Sequence, residues 1–506
     1  MKHLTLHLAL ATGLLLSPSL WAEQFLSVEL VKDINAGAND ASPRDLFVFN
    51  DRLYFGAEDA EHGLELWVSD GTADGTQLFK DLNPLGASYP SEFTVLGGKL
   101  VFGADYGYGF RPWISDGTAD GTHILKHISV GNHSSAAYFT ALGDTLYFAA
   151  ETGAAGKELW SSDGTTDGTA LLKDIYPGTE DGAPHHFTAV ADTVYFAAAD
   201  AYDNGELWRT DGTAEGTAVI REINPAANSG SAPAGFTSVN GMTFFSANDG
   251  SDNRELWITD GTEGGTRLIK DINTSGDSSP MGLEALGSKV YFWAREQGDA
   301  YTLWVTDGSD AGTAQVKDID PVVPGGVFLF PGDISSINGS LYFYASDGGD
   351  EGYELWASDG TSGGTAMLKD LNPTGNSLPH SFFRLDDTFF VFAADDGTHG
   401  DELWISDGTA AGTLMLADIN SGAGGSFPSG FTRMGNAVYF RAGDDTRGSE
   451  LWKIALPDMD EAATEEDEQA DPATGALGAT LAIALLLGRR QRRLMIRHSP
   501  GTHSGQ

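Results

Sequence analysis

Nine tryptophans in this chain stand in nearly the same run of residues. The fullest copy is Glu65-Leu66-Trp67-Val68-Ser69-Asp70-Gly71-Thr72-Ala73-Asp74-Gly75-Thr76, continuing into Leu78-Phe79-Lys80-Asp81-Leu82-Asn83-Pro84. The equivalent indoles are Trp67, Trp113, Trp160, Trp208, Trp257, Trp304, Trp356, Trp404 and Trp452, and neighbouring copies lie 46 to 52 residues apart. A fixed period in that range belongs to propellers and repeat arrays, and it overrides the two to four unrelated domains that length alone would suggest.

Each unit reads as four strands. In the second, Phe93-Thr94-Val95-Leu96 alternates, Gly97-Gly98 makes a two-residue hairpin loop, and Lys99-Leu100-Val101-Phe102-Gly103 returns. Other units place Gly143-Asp144, Asn240-Gly241, Asn338-Gly339 or Gly435-Asn436 there. Such turns need positive φ, which glycine and asparagine tolerate. The returning strand carries a Tyr-Phe signature, as in Leu53-Tyr54-Phe55 and Val194-Tyr195-Phe196. An acidic loop follows, then the Glu-Leu-Trp strand, the Asp-Gly-Thr-x-x-Gly-Thr connection, and a fourth strand.

Four antiparallel strands per unit make a propeller blade. A lone blade cannot bury both faces, so each must lean on the next. The indole is the expected wedge. It buries roughly 150–250 Å², or on the order of 4–6 kcal/mol at about 25 cal/mol per Å², an upper bound because the unfolded chain already hides some surface.

The two ends of the repeat region are complementary. Val28 to Ile34 matches a fourth strand without the three before it, and the ninth unit stops after Glu450-Leu451-Trp452-Lys453-Ile454 with no fourth strand. The expected fold is therefore all-β: a β-propeller of about nine four-stranded blades over residues 24–456, closed by the N-terminal strand. The alternative is an open β-repeat array, whose end blades would need capping.

On these motifs the chain resembles the bacterial ELWxxDGT-repeat proteins, from about Val28 to Ile454. The resemblance implies an exported or surface-located protein with a propeller-like fold, and no assigned reaction. Three copies depart from the pattern: Arg111-Pro112 replaces Glu-Leu, Thr302 replaces Glu, and the ninth unit lacks Asp-Gly-Thr.

Outside the repeats, residues 1–22 read as a signal peptide, with Lys2, an apolar core from Leu8 to Leu16 and a small Ala22 before the cut. Residues 457–472 form an acidic linker expected to be disordered. Residues 473–488 are uncharged and mostly apolar, at the short end of what spans a membrane. Arg489, Arg490, Arg492 and Arg493 open a basic tail, 489–506, that the positive-inside rule places in the cytoplasm. This arrangement is similar to bacterial C-terminal sorting signals, so the protein is expected at the cell envelope or surface, anchored by a single-pass segment or released after processing.

The formal net charge of −43 makes nucleic acid and anionic membrane surfaces poor partners, and no nucleic-acid ligand is expected. With no cysteine, neither disulfides nor thiolate metal sites are available. Hard oxygen ligands spaced by glycine suit Ca²⁺. The candidate ligands are Asp249 with Asp252, Asp347 with Asp350 and Glu351, Asp395 with Asp396, and Asp444 with Asp445. The recurring Asp of Asp-Gly-Thr is expected to cap its own turn.

His123, His127, His133 and the pair His185-His186 break the repeat, and His123 and His127 are expected on one strand face. No phosphate loop, nucleophile elbow or zincin helix motif is present. Repetition, export and an anchor without a singular reactive cluster point to a non-catalytic, monomeric binding, adhesion or scaffolding module for an extracellular protein or glycan. The alternative is a carbohydrate-active hydrolase or lyase, which as a glycosidase would need two carboxyls about 5–9.5 Å apart at the channel mouth.

Overall fold

The computed structural model describes residues 26–457 apart from 130–133, 203, 227–228, 252, 299, 320–333, 347 and 349–351. The expectations for the signal peptide, the acidic linker, the apolar segment 473–488 and the basic tail fall outside these residues. Among the described residues no helix is long and apolar enough to cross a membrane. Thirty-six strands make up nine four-stranded sheets.

The first blade shows the plan. Strands β2 (Arg44–Phe49), β3 (Arg52–Asp59), β4 (Gly63–Ser69) and β5 (Gln77–Lys80) pair antiparallel in that order. Asn50 and Asp51, at φ 50° and 56°, supply the positive-φ hairpin between β2 and β3. The first strand of each blade packs beside the first strands of its neighbours, and the last of them, β34 (Ser429–Met434), returns to β2. First strands therefore line the centre and fourth strands lie outermost. The loops joining second to third strands share one end with the crossovers between blades.

The ring is closed, and the open array is excluded. Strand β1 (Ser27–Lys32) pairs antiparallel with β36 (Gly448–Ala455), setting Val28 opposite Ile454 and Leu30 opposite Trp452. The ninth sheet runs β1-β36-β35-β34, with β35 spanning Ala437–Asp444, so the start of the repeat region completes the final blade.

Buried apolar side chains fall into nine clusters, one for each interface between blades. At the first, Tyr54, Leu66 and Val68 of blade 1 meet Leu100, Phe102 and Trp113 of blade 2. At the closing interface, Trp67, Phe55 and Leu53 meet Tyr439, Leu451 and Met434. The nine indoles are only 3 to 8 % exposed. Each is opposite a Phe of the second strand, as Phe55 faces Trp67, and Phe-on-Trp stacking is seen at Phe148–Trp160 and Phe392–Trp404.

The Asp-Gly-Thr turn is a closed network. Asp70 Oδ1 accepts from the Thr72 amide and hydroxyl, the Gly75 amide donates to Thr72 Oγ1, and Thr76 Oγ1 donates to Thr72 O. The expected capping role holds. Gly75 is required because an added Cβ would collide with the Asp70 carboxylate.

Across eight of the nine interfaces a cation at the outer strand of one blade, or just past its end, reaches the turn of the next. Lys80 Nζ donates to Thr122 O at 2.6 Å, Arg221 to Thr266 O at 2.6 Å, and Lys369 to Thr413 O at 2.5 Å. Lys32 of β1 makes the same bond to Thr76 O, tying the closing strand to blade 1. Blade 9 has no such turn, and the preceding outer strand carries Ala417 in place of the cation.

Removing residues 24–36 should therefore lower the melting temperature and split the transition, since blade 9 loses its outer strand and blade 1 a staple. An unchanged melting curve would contradict the latch. Gly75→Ala should cost about 1–3 kcal/mol by overpacking, measurable by denaturant unfolding.

Candidate functional site

The end of the ring that carries the crossovers is held by buried carboxylates. Glu65, in the third strand of blade 1, accepts from the Leu82 amide and the Ser88 hydroxyl, both at 2.7 Å. Glu206 accepts from Ile223 N, Asn224 N, Ser231 N and Ser231 Oγ. Glu450 does this work at the closure, accepting from Ile34 N at 2.7 Å and Asn35 N at 3.2 Å. Each glutamate thus pins the loop that leads to the next blade. Burial pushes Glu65, Glu158, Glu354 and Glu450 up to about 7, against the opposing pull of their donors. It raises Glu206, Glu255 and Glu402 as well.

Two blades lack this anchor. In blade 6, Thr302 Oγ1 instead accepts from Trp304 Nε1 at 2.9 Å. In blade 2, the fully buried Arg111 inverts the polarity: it donates to Ser134 Oγ at 2.7 Å and to Ser129 O at 3.2 Å. Beside it, Pro112 has no amide to offer the outer strand. That strand, β9, shrinks to His123–Ile124. The expectation that His123 and His127 share a strand face is therefore corrected: His127 lies beyond the strand, its ring 5.6 Å from that of Tyr106.

The described candidate cation ligands lie at the ends of second strands or just beyond them. Asp252, Asp347, Asp350 and Glu351 fall outside the described residues, as does His133. The described acids are engaged locally. Asp249 accepts from Ser251 N and Oγ, and Asp395 from Gly397 N. Asp396 caps Thr398 and His399 and pairs with His399 Nδ1 at 2.8 Å. Asp444 caps Thr446 and pairs with Arg447 at 2.7 Å. Asp445 exchanges bonds with Asn420. Asp444 and Asp445 also line a cleft of about 390 Å³ with Asp40, Arg441 and Phe427. Among the described residues no three His, Cys, Asp or Glu side chains gather as a metal-holding group.

A position that sequence reasoning missed marks the channel mouth. The first strand of each described blade slips register just after it begins, except in blade 7, where this part of the strand falls outside the described residues. The slipped residue has a positive φ. Blades 1 to 4 hold Asp45, Glu92, Tyr138 and His186 there, at φ 54° to 63°. Blades 5, 6, 8 and 9 hold Gly235, Gly282, Ser381 and Gly430. Burial raises Asp45, and burial together with the neighbouring His185 lowers His186.

The same sector carries exposed aromatics. The second-to-third-strand loop of blade 2 is Tyr106-Gly107-Tyr108-Gly109, where other units place acids such as Asp59 and Glu61. Tyr108 is 60 % exposed and Tyr89 51 %. Gly109, which follows Tyr108, and Ser91, just past Tyr89 and Pro90, mark the way to a cleft of about 430 Å³ between blades 2 and 3, lined by Glu92, Asp105, Phe110, Ser135, Phe139 and Lys157. The replacement of acids by Tyr-Gly-Tyr-Gly was the readable signal.

No family model matches the chain, and no curated protein does. Solved structures that align with it include a puromycin hydrolase (13 % identity, TM-score 0.38, covering 72 % of this chain and 60 % of that one). A prolyl endopeptidase aligns at 10 % identity and TM-score 0.41, covering 78 % and 59 %. Prolyl oligopeptidase B from Galerina marginata aligns at 13 % and 0.38, covering 65 % and 51 %. The chain spans about half to three-fifths of the length of those proteins. Likeness at that level says nothing of what this chain does; the propeller rests on its own strand pairing.

The buried glutamates give stability a definite pH dependence. Their folded values lie above the ordinary 4.5, so between about pH 4.5 and 7 the native chain holds more protons than the unfolded one. The stability these groups contribute is fully present below that window and is lost as pH rises through it. The melting temperature should fall from about pH 5 to pH 8, and Glu65→Gln should flatten part of the slope. A melting temperature that climbs over the same range would contradict the assignment.

Proposed function

We propose that this protein is an exported propeller of the ELWxxDGT-repeat type that binds a protein or glycan over its crossover-bearing end without catalysing a reaction. The segment 473–488 holds it at the envelope, or is processed to release it. The observation that carries this reading is a division between repeated and unrepeated polar groups. The recurring acids are occupied by the frame: Asp70 and its equivalents within their turns, and Glu65 and its equivalents under the crossovers. Polar and aromatic side chains that differ from blade to blade stand over blades 1 to 4, with Phe427 and Arg441 at blade 9 beside them in the ring, as a docking surface on a rigid support requires.

The test is to immobilise the full chain and present envelope proteins and surface glycans from the source cell. Saturable binding of at least one, recovered chemically unchanged, is expected. Binding of none removes the reading, and turnover of the bound ligand would move the protein to the carbohydrate-active alternative.

A further inference from the structure

The described surface of the ring is uneven. Blades 5 to 8 expose no large apolar side chain among the described residues, whereas Leu85, Tyr89, Tyr108 and Tyr202 are exposed on crossovers and loops of blades 1 to 4, Tyr138 at the start of a first strand, and Phe427 on the crossover into blade 9. Leu85, at 80 % exposure, belongs to the crossover entering blade 2. A Cβ on Gly107 would lie 3.0 Å from Asn83 Oδ1 and 3.6 Å from Leu85 Cδ1, so the crossover and the tyrosine loop meet at this glycine. The rings of Tyr106 and Tyr108 are 5.5 Å apart. An apolar shelf thus runs from Leu85 to Tyr108 and down to Phe110, which lines the cleft between blades 2 and 3.

Backbone conformation makes the same sector exceptional. A residue with a side chain in the left-handed region costs about 1–2 kcal/mol over glycine, and glycine holds three of the four described positions on blades 5, 6, 8 and 9. Four consecutive blades nevertheless keep Asp45, Glu92, Tyr138 and His186 in that conformation. Strain retained at adjacent sites argues for a task at the mouth of the channel.

The lining selects the ligand. Glu92 and Asp105 face a cleft that also holds Lys157, whose Nζ stands 5.3 Å above the Tyr138 ring. A free cation would meet Lys157, and a free anion would meet two carboxylates in a chain of net charge −43. A neutral polyhydroxylated ligand uses both signs at once. Its hydroxyls donate to the carboxylates and accept from the ammonium, as charge-assisted hydrogen bonds, while flat C–H faces lie on tyrosine. The cleft, about 430 Å³, falls within the ~300–1,000 Å³ of small-ligand pockets. We infer that the channel mouth over blades 1 to 3 binds a neutral oligosaccharide, with sugar rings on Tyr108 and Tyr89 and hydroxyls on Glu92, Asp105 and Lys157. The inference rests on the binding reading above and gives it a ligand class and a place.

Calorimetric titration of the full chain with maltohexaose, cellohexaose, laminarihexaose and mannohexaose tests it. At least one should bind saturably at millimolar concentration or below. Tyr108→Ala should weaken that binding roughly tenfold or more, and Glu92→Gln, which keeps an acceptor for the Phe139 amide, should weaken it without lowering the melting temperature. Leu171→Ala, on the outer strand of blade 3, should leave it unchanged. Binding by none of the four, or binding indifferent to Tyr108→Ala, overturns the inference. If the sugars fail while an envelope protein binds, this inference falls and the binding-module reading stands; if neither binds, both fall.

Discussion

The structure depends on a sheet with two apolar faces and no means of covering both alone. Each blade presents its indole, with the Phe opposite it, to one neighbour and the residue before that Phe, Tyr54 in blade 1, to the other. The nine buried clusters accordingly lie between blades. Trp113 is buried against blade 1 and Trp67 against blade 9. Any blade without a neighbour would expose to water either an indole with its phenylalanine or a face such as Tyr54, Leu66 and Val68, at several kcal/mol for a buried aromatic ring. Closure by β1 follows from that demand. The other contacts, from lysine staples to glutamate anchors, adjust how blades meet once they must meet.

The staples show how far the parts are coupled. A lysine on an outer strand is useful only where the next blade has a turn carbonyl to receive it, and Ala417 stands before the blade that lacks one. The tyrosine of the Tyr-Phe pair packs in the same direction. Tyr54 Oη bonds Gly117 O in the next blade, and Tyr439 lies against Gly71 across the closure. Side chains thus cross from outer strand and second strand alike, always toward the following turn. That polarity lets one module repeat with each interface equivalent to the last.

Departures from the module carry the specific chemistry. Replacing Glu-Leu by Arg111-Pro112 reverses the polarity beneath one crossover and shortens one outer strand. That change sits beside the Tyr106-to-Gly109 loop and the cleft holding Glu92 and Lys157. A ring of nine blades can absorb one altered member, because stability in such arrays is a sum over neighbours. The altered sector is then free to serve a ligand without weakening the ring as a whole.

How much of this was legible follows from where each interaction's partners lie. Blade count, strand order, hairpin positions and the role of β1 could be read from the chain, since each depends on residues a few positions apart or on a pattern repeated at fixed period. The capping of Asp70 was legible for the same reason: Thr72 is two residues away. The role of Glu65 was not, because its partners Leu82 and Ser88 return to it only after a turn, a strand and a crossover. Nor could sequence say that Asp45, Glu92, Tyr138 and His186 share one level of the channel mouth, since the left-handed bend that sets them there occurs at residues that ordinarily avoid it. Periodic burial is written along the chain. Which exceptional side chains come to stand beside one another depends on how nine blades close around a centre, and only the folded ring decides that.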